Sequence, residues 1–330
     1  MRTVHRPYAA AIVRHVETHE DAVVLSGDLT ASCEVDGVQR AHPDWCFDVG
    51  MAEQNMLGVA GGMAKGGLTP FVHTFGVFAT RRALDQVQMA VALPRARVRI
   101  MGFLPGLVTP GGPTHQAIDD VAIMRAVPGV TVLDLGDATE VGSVLDALDE
   151  VDGPAYCRVL RGGVPVLFDT PLELGRVRLL AEGDDLCLIS SSVTTAEARL
   201  AVERLRAAGV SVAHLHASTL DPFDDPAVPE AIARTGAVIT LENPLVTGGL
   251  GSAVAELIAE QGLRARLVRL GVRGYASGGS QPFLFERHGL TAAAVLAAAA
   301  PLLGLSVEAD VRDGVTDVVG RGDERRQEAL

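Results

Sequence analysis

Residues 47–65 of this 330-residue chain read FDVGMAEQNMLGVAGGMAK, and this stretch decides the fold. An apolar strand ends at Val49, Gly50 turns the chain, and a helix begins with Glu53 in its first turn. A carboxylate at that place is stabilised by the helix dipole, which is sufficient reason to find it on a surface. The same place, outside the carboxyl end of a strand, is also where α/β proteins bind ligands. The stretch alone leaves both interpretations open.

The same order of strand and helix repeats along the chain. Helical patterns of about ten to eighteen residues separate the strands, which indicates βαβ crossovers and mainly parallel sheets. We therefore expect an α/β protein with two doubly wound domains at residues 1–165 and 184–305, a linker at 166–183 and a mobile tail at 306–330. The predicted strands are 22–26, 45–49, 97–103, 130–135, 154–160, 186–191, 210–215, 237–241 and 265–270, and the predicted helices include 53–65, 75–93, 138–150, 194–208 and 251–260.

The composition limits what the chain can bind. Its 28 basic and 41 acidic residues give a net charge of −13, which makes nucleic acid and anionic membrane surfaces unfavourable partners. The single lysine, Lys65, leaves little scope for Schiff-base chemistry. Four scattered cysteines without metal-ligand spacing fit a reducing compartment. Because the sequence shows neither a signal peptide nor an apolar run long enough to cross a membrane, we expect a cytoplasmic protein.

Two patterns in the second half carry weaker signals. Residues 248–251 (GGLG) follow an apolar strand and open a helix, as a dinucleotide-binding turn does, but Val254 stands where the third glycine belongs. We interpret this turn as a helix cap. His214 and His216 would lie on one face of a strand, yet no third metal ligand is near in sequence. We expect them to be partly exposed structural histidines.

Three linked motifs resemble those of the transketolases, in the same order and at similar spacing. They are FDVGMAEQNM at residues 47–56, PFVHTFGVFATRRALDQV at 70–87 and GGPTHQAIDDVAIMRAVPGV at 111–130. The resemblance spans roughly residues 4 to 300 and continues through ITLENPLVTGGLGSAVAELIAE at 239–260. More narrowly, the chain resembles the separate C-terminal subunit of split, two-chain transketolase-like enzymes. That subunit joins a pyrimidine-binding domain to a transketolase C-terminal domain.

The resemblance implies thiamine diphosphate as the cofactor and assigns residues of this chain to it. Glu53 matches the glutamate that hydrogen-bonds the aminopyrimidine ring and so tunes removal of the thiazolium C2 proton. Phe75 and Phe78 match the aromatic residues that pack on the pyrimidine. Asp28 and Leu29 match residues at a strand end beside the thiazolium.

The diphosphate and magnesium half of the site is expected on a partner chain. In the family, that half carries a GDG sequence followed at a distance by an asparagine. Gly27, Asp28 and Leu29 with Asn55 imitate this arrangement, but leucine replaces the third glycine, and Asn55 belongs to the helix that begins at Glu53. We therefore expect no metal ligands on this chain. Mg2+ would be bound by a separate N-terminal-half transketolase subunit, and analogy implies an α2β2 assembly.

The resemblance also places three residues at the substrate. His115 matches a histidine near the sugar and is, with Glu53, an implied catalytic residue. Ser32 and Arg161 match a serine and an arginine that contact the substrate phosphate.

Three other substrate positions depart from the family pattern. Gly111 replaces an aspartate that contacts the ketose, Leu104 replaces a histidine near the phosphate, and His5 replaces an arginine for which Arg6 could substitute. Loss of hydrogen-bonding groups should weaken binding of an ordinary sugar phosphate. We therefore expect an unusual donor or acceptor, unless neighbouring groups or the partner supply the missing contacts.

Two alternatives stay open. Within thiamine enzymes, the chain could be the beta subunit of a 2-oxo acid dehydrogenase or resemble a 1-deoxyxylulose-5-phosphate synthase, although the AEQNM form favours transketolase. The alternative of another class is a non-catalytic regulatory or scaffold subunit, against which the retained Glu53, Phe78 and His115 count. The second domain shows no catalytic cluster. We expect subunit association as its role, with Glu242 and His288 at its surface or at an interface.

Overall fold

The computed structural model describes residues 2–304, so the predicted tail at 306–330 lies outside the described residues. No described helix is long and apolar enough to cross a membrane. The strands are β1 (Thr3–His5), β2 (Ala22–Ser26), β3 (Cys46–Asp48), β4 (Thr69–Phe75), β5 (Arg99–Phe103), β6 (Thr131–Asp134), β7 (Ala155–Val159), β8 (Gly163–Pro165), β9 (Val177–Ala181), β10 (Leu186–Ser190), β11 (Val212–Ala217), β12 (Thr219–Asp221), β13 (Ala237–Leu245) and β14 (Arg266–Val272). The α-helices are α1 (Pro7–Thr18), α2 (Asp36–Ala41), α3 (Glu53–Lys65), α4 (Leu84–Gln86), α5 (Asp120–Arg125), α6 (Ala138–Leu148), α7 (Thr194–Ala207), α8 (Ala227–Thr235), α9 (Leu250–Glu260), α10 (Gln281–His288) and α11 (Ala292–Leu303). A 3-10 helix spans Pro43–Trp45, and π-helical segments at Phe78–Arg82 and Val87–Ala92 flank α4.

The first sheet has seven strands in the order β12-β6-β7-β5-β4-β2-β3. Its neighbours are parallel except for β12, which pairs antiparallel with β6 at the edge. Strands β2, β4, β5 and β7 are buried along their whole length, as expected for parallel strands covered on both faces. The sequence analysis missed β4 and began a helix at residue 75. In the structure Phe75 ends β4, helical backbone begins at Gly76, and the π-helical segment begins at Phe78.

The second sheet has five strands in the order β14-β13-β10-β11-β9, all parallel except β9. Strand β9 (Val177–Ala181) lies inside the segment 166–183 that is predicted as a linker, and it pairs antiparallel with β11. The two halves also interlock, since β12 comes from the second half and extends the first sheet. The predicted α/β class, with two mainly parallel sheets and helices on their faces, is confirmed.

Helix α3 covers one face of the first sheet, and its glycines have different surroundings. At Gly61 an added Cβ would overlap the carbonyl oxygen of Ala90, so only glycine lets α3 approach the π-helical segment Val87–Ala92 so closely. At Gly58 and Gly62 an added Cβ would meet no atom within 4 Å. The small residues of α3 therefore serve close packing on one side and leave the other side open.

Candidate active site

The residues predicted for the site meet at the carboxyl edge of the first sheet. Residues 28 and 29 follow β2, Glu53 begins α3 after β3, Phe75 ends β4, and Arg161 follows β7. His115 lies in the loop between β5 and α5. Because the ends of parallel strands share one edge, the fold brings these distant segments together where α/β proteins bind ligands.

Glu53 is a buried carboxylate at this edge. Its side chain is 1% exposed and stands in the first turn of α3, where the helix dipole favours negative charge. Arg82 Nη1 donates to both carboxylate oxygens at 2.7 Å, and Thr74 Oγ1 lies 3.5 Å from Oε1. Burial of an unpaired carboxylate is costly, so Arg82 compensates the burial of Glu53.

Three aromatic side chains lie beside Glu53. The ring centroids of Phe75 and Phe78 are 5.8 Å apart, and the His115 ring lies 6.1 Å from Phe75 and 5.6 Å from Phe78. The guanidinium carbon of Arg82 is 4.2 Å from the Phe78 centroid, a stacking distance. The space between Glu53 and Phe78 therefore holds a flat group that donates N–H bonds to a carboxylate.

Arg82 is a residue that the sequence analysis missed. It lies 29 residues from Glu53 along the chain, so no local spacing connects them. The available signal was the pair of arginines in the second motif. The structure separates their roles, because Arg81 Nε donates to both oxygens of Asp119 at 2.9 Å.

The backbone of residues 28 and 29 is held in place by side chains. Asp28 has φ 62°, a left-handed conformation that costs energy for a residue other than glycine. Its amide donates to Asp48 Oδ1 at 3.0 Å, which also accepts the Gly50 amide at 3.0 Å. The Leu29 amide donates to Ser26 Oγ at 3.2 Å. This strand end is therefore fixed, and the Asp28 side chain is exposed.

The substrate residues predicted from the sequence meet at the open side of the site. Arg161 is exposed, and its Nη1 donates to the Ser32 carbonyl at 2.8 Å. Its guanidinium carbon is 5.9 Å from the Phe75 ring centroid. His115 is half-buried, with Nδ1 2.9 Å from Thr114 Oγ1. The arrangement places a cation and an imidazole beside the aromatic rings.

The departures from the family pattern leave few polar groups at the open side of the site. Leu104 is buried and has φ 58°, again a left-handed conformation. A Cβ at Gly111 would stand 3.0 Å from the His115 Cβ, so an aspartate there would press on His115. Arg6, the proposed substitute for the missing arginine, hydrogen-bonds Asp36 and lowers the pKa of that carboxyl. Its guanidinium is therefore already paired.

Two family profiles match the chain in the order of its two sheets. The pyrimidine-binding domain of transketolase matches residues 3–165, and the transketolase C-terminal domain matches residues 175–295. A 6-deoxy-6-sulfo-D-fructose transketolase subunit, SqwH, of Clostridium sp. is 38% identical over 297 residues, which cover 88% of this chain and 92% of that one. The chain belongs to the transketolase family. A transketolase family protein of Sinorhizobium fredii is 37% identical over 297 residues, with 88% and 86% covered.

A solved structure in the transketolase family matches the chain over nearly its whole length. A split gene transketolase, described as an inactive beta4 tetramer, superposes with a TM-score of 0.84 at 35% identity and covers 91% of this chain and 98% of that one. A 1-deoxy-D-xylulose-5-phosphate synthase of Synechococcus sp. is 32% identical over 292 residues, but this chain spans 45% of it. The split transketolases therefore match better than that alternative, and the predicted resemblance is confirmed.

Behind the site of this transketolase subunit, Arg158 joins two carboxylates that sequence reasoning did not connect. Its Nε donates to Asp120 Oδ2 at 2.9 Å and its Nη1 to Asp134 Oδ1 at 3.1 Å, and all three side chains are 0% exposed. Its Nη2 donates to the Ala117 carbonyl at 2.8 Å, which anchors the loop between β5 and α5. Ser191 of the second half donates to Asp134 Oδ2 at 2.9 Å. The cluster ties the site loop to both domains.

Glu242 in the C-terminal domain was expected at the surface or at an interface, and that expectation is wrong. Its side chain is 0% exposed, and its oxygens accept the amides of Leu250 and Gly251 at 2.7 and 2.8 Å. It therefore caps the N-terminus of α9 at the GGLG turn. Burial raises the pKa of Glu242 to about 8. His288, predicted with it, is half-buried at the end of α10.

The two histidines of β11 are buried as well, not partly exposed as predicted. His216 places Nδ1 2.6 Å from Thr195 Oγ1 and Nε2 3.3 Å from Glu140 Oε2. His214 Nε2 lies 2.9 Å from Ser190 Oγ, and burial lowers its pKa to about 3. Their nitrogens are thus engaged in a network between the two domains, which agrees with a structural role.

Proposed function

We propose that this chain is one subunit of a two-chain transketolase-like enzyme that transfers a two-carbon ketol unit with thiamine diphosphate. The observation that carries the proposal is the guanidinium of Arg82, bonded to Glu53 and stacked on Phe78. A flat N–H donor that stacks on an aromatic ring and bonds a buried carboxylate resembles an aminopyrimidine in shape and polarity. The residues of this chain therefore fit the pyrimidine end of the cofactor.

Each residue at the edge has a role in this proposal. Glu53, Phe75 and Phe78 would hold the pyrimidine, and residues 28 and 29 would lie beside the thiazolium. When bound, the cofactor supplies the carbon nucleophile that cleaves the ketose carbon–carbon bond. Glu53 would hydrogen-bond a ring nitrogen of the aminopyrimidine and, shielded from water, would hold or move the proton between them. The helix dipole at the start of α3 keeps this carboxylate in place.

The Mg2+ and diphosphate half of the site would come from a separate N-terminal-half transketolase subunit, in a cytoplasmic α2β2 assembly. Relatives of nearly equal length are named as a subunit and as a split gene product, which supports a two-chain enzyme. Exposed apolar side chains on and next to α3 give the partner a surface, since such clusters mark protein interfaces. They are Phe47 (40% exposed), Met51 (77%), Val59 (36%), Met89 (55%) and Leu93 (73%).

We further propose that the donor is an unusual ketose with an anionic end. Arg161 is exposed at the open side of the site and suits a terminal anion, whereas Leu104 and Gly111 offer no side-chain hydrogen bond to a sugar. His115 Nε2 has no hydrogen-bond partner among the described residues and is free to bind a substrate hydroxyl. The Clostridium relative is named for 6-deoxy-6-sulfo-D-fructose, so a sulfonated ketose is the first donor to test.

Calorimetric titration of thiamine diphosphate with Mg2+ tests the half-site, first with this chain alone and then with the N-terminal-half transketolase chain of the same organism. We expect no binding alone, tight binding in the mixture, and loss of binding or turnover in Glu53→Ala. Tight binding by the chain alone would contradict the need for a partner.

A donor screen on the assembled enzyme tests the substrate. Ordinary turnover of xylulose 5-phosphate with ribose 5-phosphate would contradict an unusual donor. Pyruvate decarboxylation or dependence on a lipoyl carrier would favour the 2-oxo acid dehydrogenase alternative. Cofactor binding with no turnover of any donor would favour a non-catalytic subunit.

A further inference from the structure

Three potential metal ligands meet at the edge of the first sheet opposite the candidate active site. His15 stands in the last turn of α1, His19 follows that helix, and Asp149 follows α6. They line a cavity of about 250 Å3 that also reaches Ala22 and Thr69, the first residues of β2 and β4. One ligand atom from each of the three residues lies within 4.8 Å of the other two.

The hydrogen bonds at this cluster leave at least one nitrogen of each imidazole without a partner among residues 2–304. His19 Nδ1 lies 3.0 Å from the His15 carbonyl, so the backbone holds this nitrogen, and Nε2 faces Asp149 Oδ2 at 3.4 Å. His15 is 3% exposed, and its Nδ1 is buried without a hydrogen-bond partner within the part of the chain that the structure describes. Its Nε2 is 3.8 Å from Asp149 Oδ1, beyond hydrogen-bond distance. A buried imidazole nitrogen without a partner indicates a missing water molecule or ion.

The electrostatics of the cluster favour a cation. The C-termini of α1 and α6 converge there, and each helix end carries partial negative charge. Asp21 also borders the cavity, with Oδ2 accepting Thr69 Oγ1 at 2.6 Å. One cation is already close, because Arg97 Nη2 donates to the Asp149 carbonyl at 3.1 Å and lies 3.8 Å from its Oδ1. Since that hydrogen bond is to the backbone, Arg97 leaves the carboxylate available.

We propose that His15, His19 and Asp149 form a site for a divalent transition-metal ion of the zinc class. Two imidazoles and a carboxylate suit Zn2+ better than Mg2+ or Ca2+, and water would complete a tetrahedral shell. The two rings are stacked with centroids 4.0 Å apart, so they must turn for both nitrogens to point at one ion. Such an ion would clamp the end of α1 to the end of α6. It lies away from the thiamine site and needs no partner chain.

Zn2+ binding to the tag-free chain alone tests the site. We expect one Zn2+ per chain after dialysis, a rise in melting temperature on adding Zn2+, and the visible absorption of tetrahedral Co2+ when that ion is substituted. His19→Ala and Asp149→Asn should weaken Zn2+ binding more than about 100-fold and abolish the rise. His15 is left intact because its ring packs on Phe71, with centroids 5.0 Å apart.

His42→Ala is the matched control. His42 pairs with Glu17 at 3.1 Å, but no third metal ligand lies near them among residues 2–304, so this variant should bind Zn2+ like the wild type. The absence of stoichiometric Zn2+, or equal Zn2+ binding by His19→Ala and the wild type, would overturn the proposal. Loss of Zn2+ in His42→Ala alone would do the same. Because thiamine diphosphate and the partner are absent, none of these results depends on the proposed enzymatic function.

Discussion

Arg158→Met removes the cation from a cluster in which every charged side chain is fully buried. The carboxylates of Asp120 and Asp134 would then keep only the hydroxyls of Tyr156 and Ser191 as side-chain donors. Breaking a buried ion pair by removing one partner lowers the free energy of unfolding by about 3–5 kcal/mol. Since 1 kcal/mol lowers the melting temperature of a large domain by about 2–4 °C, we expect a fall of about 6–20 °C.

The loss of stability caused by Arg158→Met should also depend on pH. Burial raises the pKa of Asp120, and the charge of Arg158 holds that pKa down. A folded-state pKa above the unfolded value means that this group stabilises the fold at low pH, and that the contribution is lost as pH rises through the folded pKa. Removal of Arg158 raises the pKa of Asp120 further. The variant should therefore lose more stability than the wild type as pH rises above the ordinary aspartate pKa, so its deficit should be larger at about pH 8 than at about pH 5.

Urea and thermal unfolding followed by circular dichroism at both pH values would measure the effect. Arg14→Met is the control, because Arg14 and Asp146 form an exposed pair at 3.5 Å whose loss should change the free energy of unfolding by less than about 1 kcal/mol. A cost below about 1 kcal/mol for Arg158→Met would refute the reasoning. A cost that is equal at the two pH values would refute the assignment of the titrating carboxyl.

Three further substitutions, one of them with a control variant, test the site, its packing and the contact between the domains. Glu53→Gln removes the charge but not the shape, so turnover by the assembled enzyme should fall about 10²–10⁴-fold with an unchanged circular dichroism spectrum. Gly61→Ala drives a Cβ into the Ala90 carbonyl and should cost about 1–3 kcal/mol in urea unfolding, whereas Gly58→Ala meets nothing within 4 Å and should be neutral or stabilising by up to about 1 kcal/mol. Burial raises the pKa of Glu140, but its histidine, serine and arginine partners outweigh this and lower it to about 2. The stabilisation by Glu140 is therefore present above about pH 4.5 and lost as pH falls towards 2. Glu140→Gln should flatten the fall in melting temperature over that pH range. An unchanged slope of melting temperature against pH would contradict this.

The sequence predicts α3 at the same residues as the structure, yet it misses β4, which follows at once. The difference lies in where the polar groups find partners. Pro70 and His73 do not look like central-strand residues, because proline lacks an amide and imidazole is polar. In the structure His73 Nδ1 lies 3.2 Å from the Leu25 carbonyl, Nε2 lies 2.7 Å from the Tyr8 hydroxyl, and burial lowers the His73 pKa to about 4. These partners lie on β2 and α1, and the local sequence around His73 does not show that they are near.

Glu53 and Glu242 show the same limit for the candidate site. Glu53 begins α3 and Glu242 lies in β13, and both acidic residues are buried. Sequence reasoning assigned a role only to Glu53, through the family resemblance, and placed Glu242 near the surface. What distinguishes them is the donors: Glu242 accepts the backbone amides of Leu250 and Gly251 at the start of the next helix, α9. Glu53 depends on the side chain of Arg82, which another N–H donor can displace.

This dependence explains why the chain alone should leave the cofactor in solution. Glu53 is 1% exposed and cannot move away, so it needs an N–H donor with or without the cofactor. The Arg82 side chain is 44% exposed and can turn outward when an aminopyrimidine takes its place. The carboxylate then exchanges one charge-assisted donor for another, which contributes little net affinity. On the proposed function, the affinity must therefore come from the Mg2+ and diphosphate contacts, which lie on the partner chain.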